Sequence, residues 1–84
     1  MSSSAPSEVP FDDLDREIIE AHARADWGRL ATLYAQAAQY YMAVKEFEHA
    51  AFLLVNAYVW ALEAGEESVA ANAHRALVAM GREQ

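Results

Sequence analysis

The residue pair in this sequence best suited to chemistry is Glu46-x-x-His49. Three residues apart on a helix, a carboxylate and an imidazole project from one face, and ferritin-like di-iron bundles use that spacing to hold metal. Glu17 and Glu20, far upstream, would add carboxylates, and a second copy of the chain would supply the second pair that a two-iron site requires. The motif occurs once, Tyr41 and Lys45 flank it, and the helix before it offers no inward-facing glutamate. Glu46 and His49 therefore read as the polar first turn of a helix, with a metal site on the same two residues as the alternative. Asp12, Asp13 and Asp15 are crowded enough to suggest a cation, yet the loop glycine and distal glutamate of a calcium loop are missing, and helix capping accounts for them. His22 and His74 have no nucleophile and carboxylate at triad spacing. The sequence also has no glycine-rich phosphate loop and no cysteine. The expectation is a protein that is not an enzyme, with no cofactor and no evident small-molecule substrate.

Charge narrows the partners. Thirteen acidic residues against six basic ones give a formal net charge of −7, so there is no basic patch to displace counterions from a phosphate backbone or an anionic bilayer. Nucleic acid and membrane are thus excluded as expected partners. The leader Met1 to Pro10, with its serines and two prolines, reads as a disordered tail over 1–10 and not as a signal peptide, since it lacks a basic segment followed by an apolar one. Absence of cysteine fits a reducing compartment, and a cytoplasmic location is expected.

The elements that must carry these residues follow from periodicity. Phe11, Leu14, Ile18 and Ala21 fall at helical spacing behind Asp12, a candidate N-cap, predicting a helix over 13–24. Asp26 caps a second helix over 27–44, with Trp27, Leu30, Ala31, Tyr34, Ala38 and Tyr41 on one stripe and Arg29, Thr32, Gln36 and Gln39 opposite. From Ala50 to Leu62 twelve of thirteen residues are apolar, the exception being Asn56, which marks a core or interface helix over 47–64. Glu48 and Glu63 bound that run short of the ~20 apolar residues a membrane span needs. Gly65 ends it in the left-handed conformation, and a fourth helix over 67–80 shows Val69, Ala73, Ala76, Leu77 and Met80 on one stripe. No glycine or proline separates the second helix from the third. A continuous helix from Arg29 to Ala64 would still be roughly 55 Å long, too long for one small domain, so a turn is expected near Lys45. The chain reads as all-α, four antiparallel helices in one domain over 11–84.

Trp27-x2-Leu30-Ala31-x2-Tyr34, followed by Ala50-x3-Leu54, resembles the tetratricopeptide pattern W-x2-L-G-x2-Y…A-x3-F, with alanine in place of the glycine. Phe47 and Ala57 are similar to the aromatic and small residues of that family's second helix. The distance from Tyr34 to Ala50 is longer than in a 34-residue repeat, and the closing proline is absent. The resemblance implies stacked helical hairpins that bind protein segments along the polar side of the first helix, here Arg29, Thr32, Gln36 and Gln39.

A domain this short buries only about 60% of its unfolded-chain surface, and 55% of these residues are apolar. Some apolar surface should therefore meet a partner, and a homodimer is expected, with Tyr41, Phe52, Tyr58 and Trp60 as interface anchors. Asn56, alone among apolar neighbours, is expected either to pair with a neighbouring helix or to set register across such a dimer.

Overall fold

The computed structural model describes residues 9–81, with side chains from Asp13 onward. Four helices follow one another: α1 (Val9–Ala23), α2 (Trp27–Ala43), α3 (Phe47–Ala64) and α4 (Glu67–Ala79). No strand occurs among the described residues, and the protein is all-α.

The boundary displaced by more than one residue is at the start. The helix expected from residue 13 begins at Val9, taking in two residues assigned above to the tail. Proline is tolerated in a first helical turn, where its missing N–H would have no intrahelical partner, so Pro10 lies in the first turn of the helix it was expected to precede. Asp12 accordingly lies inside α1 and is not its N-cap. The rest of the expected tail, 1–8, lies outside the described residues.

The three turns are one structure repeated. Ala25, Lys45 and Gly65, twenty residues apart, each adopt the left-handed conformation, with φ of 56°, 65° and 74°. At each turn the next N–H reaches back five residues: Asp26 to Ala21 O at 2.9 Å, Glu46 to Tyr41 O at 2.8 Å and Glu66 to Ala61 O at 2.8 Å. These bonds satisfy carbonyls that a helix end would otherwise leave unpaired. The same three acidic residues then open the following helix, their carbonyls accepting from Leu30, Ala50 and Ala70. Only Asp26 also caps with its side chain, its Oδ1 accepting from the Arg29 N–H at 3.1 Å. The turn expected near Lys45 is therefore present, made by a non-glycine residue in a glycine conformation.

Each helix runs antiparallel to the one before it. Trp27, opening α2, stacks on Trp60 near the end of α3, with ring centroids 4.9 Å apart. At the other end Tyr41 stacks on His49 at 3.9 Å. The α2–α3 contact is the most extensive, followed by α3–α4 and α1–α2, with a smaller one between α2 and α4. The buried residues explain how the helices approach so closely. Among the described residues these are ten alanines and five leucines, with no polar side chain. Ala31, Ala50, Ala57 and Ala61 are fully enclosed where helices cross, and Leu30, Leu33 and Leu77 fill the intervening space. The larger rings of Trp27, Tyr34, Tyr58 and Trp60 are half-buried against this alanine layer.

Conformational strain at the turns is directly measurable. A side chain in the left-handed region costs roughly 1–2 kcal/mol, against which glycine loses backbone entropy on folding. Ala25→Gly and Lys45→Gly should each stabilise the protein by about 0.5 kcal/mol, and Gly65→Ala should destabilise it by about 1 kcal/mol. Nothing lies within 4 Å of a Cβ added at Gly65, so that loss would be conformational and not steric. Urea unfolding of the three variants checks the opposite signs.

Candidate functional site

Because α2 and α4 are separated in sequence by one antiparallel helix, they run in the same direction. Gly28 lies near Ala64 and Glu66 at one end. At the other end Met42 shares an apolar hollow with Phe47, Ala76 and Met80. Between the two parallel helices runs a groove of about 480 Å³. Its floor is made of Ala35 and Ala38 from α2, Leu54 from α3, and Ala73 and Ala76 from α4. Thr32, Gln36 and Gln39 on one side and Asn72 on the other supply the polar rim. Alanine floors the groove for the reason it fills the core: short side chains let the helix backbones stand close, leaving a shallow channel between them.

The groove's chemistry is that of neutral hydrogen bonding over methyl groups. No ionisable side chain lines it. The Thr32 hydroxyl donates to Gly28 O at 3.3 Å, and the Asn72 side-chain carbonyl accepts from Arg75. Exposed glutamine amides on α2 can donate to and accept from a peptide backbone, and the alanine floor can bury an apolar side chain.

Of the four residues expected to form a binding face, Thr32, Gln36 and Gln39 line this groove and Arg29 does not. Arg29 turns the other way, its guanidinium donating to the Glu17 carboxylate and so tying α1 to α2. Glu20, Arg24 and Asp26 surround that pair in a polar hollow between the two helices. The α4 side of the groove was not anticipated. The signal was the twenty-residue spacing of the turns, which makes α2 and α4 equivalent at forty residues and sets Thr32 beside Asn72, and Gln36 beside Ala76, in register.

The expected interface anchors divide. Trp60 is held within the fold, stacked on Trp27 and meeting His22 edge-on at 5.6 Å. Tyr58 packs against the core and over His74, with centroids 5.8 Å apart. Tyr41 is half-buried between Tyr40 and His49. Burial pushes its phenol above the usual tyrosine range, reinforced by Tyr40, Glu46 and Asp15. Phe52 alone of the four stands in solvent, 64% exposed. Asn56 does not pair with a neighbouring helix: its amide donates to Phe52 O at 3.0 Å, one turn back on its own helix.

Glu46 and His49 both lie on the surface at the start of α3. His49 presents its ring face to Tyr41 and borders a small cavity of about 190 Å³ with Asp15 and Leu53. Among the described residues no three His, Asp or Glu side chains converge as a metal site. No described helix is long and apolar enough to cross a membrane. Comparison of the chain with protein-family models, with curated proteins and with solved structures finds no match.

The Glu17–Arg29 pair, both partners about half exposed, should contribute little to stability. A double-mutant cycle with Glu17→Ala and Arg29→Ala is expected to give a coupling of about 0.2–1 kcal/mol that shrinks as salt is added. A coupling above about 2 kcal/mol would assign the pair a larger structural role than its exposure allows.

Proposed function

We propose that this chain is a non-catalytic protein-interaction module, similar in arrangement to tetratricopeptide hairpins, that binds a peptide segment in the groove between α2 and α4. The observation that carries this reading is the lining: a methyl floor flanked by amide and hydroxyl groups, with no ionisable side chain to act as acid, base or metal ligand. Such a surface recognises a chain by burying apolar side chains and matching peptide amides. The apolar hollow of Met42, Phe47 and Met80 prolongs the groove at the end of α4, and flexible methionines accommodate different partner side chains. Parallel α2 and α4 with antiparallel α3 between them is the order in which the helices of stacked hairpins follow one another. The turns here recur at twenty residues, so a hairpin pair spans forty and not the 34 of the tetratricopeptide consensus. The expected compartment is the cytoplasm, consistent with a sequence lacking cysteine.

The ligand class that follows is an uncharged, apolar-rich peptide, because no charged side chain in the groove would reward a charged ligand. Selection from a displayed peptide library on the immobilised protein should recover such peptides. Their affinity, measured by fluorescence anisotropy, should fall at least about tenfold, or 1.4 kcal/mol, in Ala35→Glu with helicity unchanged by circular dichroism. Failure to select any peptide, or selected peptides indifferent to Ala35→Glu, would overturn the reading.

A further inference from the structure

The groove leaves one apolar surface unused. Phe52, Val55, Val59 and Leu62 stand 42–64% exposed along the side of α3 turned away from its packed face. Their spacing of three, four and three residues places them in one line, as in the seam of a helix pair. We propose that this line is the interface of a two-fold homodimer, in which α3 pairs antiparallel with α3 of a second copy.

Three observations select a second copy as the occupant. First, the spacing reads the same in both directions. A two-fold axis level with Ala57 therefore sets Phe52 across from Leu62 of the partner subunit and Val55 across from Val59 of the partner subunit. Isologous pairing requires such self-complementarity of one patch. Second, the antiparallel direction brings fewer like charges level with one another. Parallel copies would put Glu48, Glu63 and Glu66 level with their own equivalents, whereas the antiparallel register sets Glu63 against Ala51 of the partner subunit and leaves Glu48 level with Glu66 of the partner subunit, a like-charge pair at each end of the apolar seam. Third, the area is adequate. Pairing two such strips of four side chains, each 42–64% exposed, buries on the order of 1,000 Å² or less in total, within the range of weak, transient interfaces, which corresponds to a reversible dimer. Asn56 does not obstruct the seam, since its amide is already bonded to Phe52 O.

Both copies carry a net charge of −7, so their long-range repulsion opposes an apolar association. Added salt should consequently tighten this dimer, whereas it would loosen one held by ion pairs.

The test is sedimentation equilibrium of the full chain across micromolar to submillimolar concentrations, at low and high salt. Wild type should move reversibly between the 9.3 kDa monomer and twice that mass, with the dimer favoured by salt. Val55→Glu should weaken association at least about tenfold, and Phe52→Gln should do so without introducing charge. Circular dichroism verifies that both remain helical. The groove variant Ala35→Glu should dimerise as wild type, which separates failure of this interface from failure of the peptide site. Register is read by oxidising an equal mixture of Val55→Cys and Val59→Cys chains with glutathione disulfide. Mixed disulfides should exceed the statistical proportion. A chain that stays monomeric throughout, a dimer indifferent to both stripe substitutions, an assembly larger than two, or a preference for like-with-like disulfides would each overturn the proposal.

Discussion

The close approach of α2 and α3 across alanine is the constraint from which the other features follow. Ala31, Ala50, Ala57 and Ala61 are enclosed at or near complete burial, and a larger side chain at any of them would have to push backbone away. Alanine contributes less transfer free energy per residue than leucine, so such a core depends on packing density and on a small number of leucines. Its compensation is geometric. Short side chains allow helices to align as neighbours in sequence order, with three nearly identical turns sufficient to connect them.

The same choice decides where the large apolar residues go. A layer of alanine has no room for indole or phenol rings, so Trp27, Trp60, Tyr34 and Tyr58 cover its margins, half in contact and half in water. Further apolar residues on α3 have no inward position left. Phe52, Val55, Val59 and Leu62 therefore face out, although the chain is acidic elsewhere. Two surfaces result, on different sides of the molecule: a neutral groove where two parallel helices flank a third, and an apolar line along the outer side of that third helix. The groove is lined by apolar, amide and hydroxyl groups, and the line by apolar side chains.

Repetition of the turns links sequence to both surfaces. Ala25, Lys45 and Gly65 share a conformation that favours glycine, and only the last is glycine. Backbone bonds from the following acidic residues hold the first two in place, and the packed helices on either side maintain them. Reading turns from glycine and proline alone could identify Gly65 but could locate Lys45 only from the length a continuous helix would have reached. The acidic residues at 26, 46 and 66 carried the period all along, and a search for it would have paired α2 with α4.

What the sequence determined by itself was local: apolar periodicity that set four helices, Asp26 as a cap, Gly65 as a left-handed terminus, and an α3 too apolar to be covered by its neighbours. These properties depend on residues within a turn or two of one another, and short-range sterics and hydrogen bonding decide them. Tertiary structure decided which side of each helix meets which. It turned Arg29 toward Glu17 and away from the groove, brought Asn72 opposite Thr32 across forty residues, and drew Trp60 and Tyr58 inward while leaving Phe52 in solvent. Those outcomes are set by how helices with small residues at their crossings orient around one another. Spacing along a single helix does not contain that information, because the direction a stripe faces acquires meaning only once another helix lies against it.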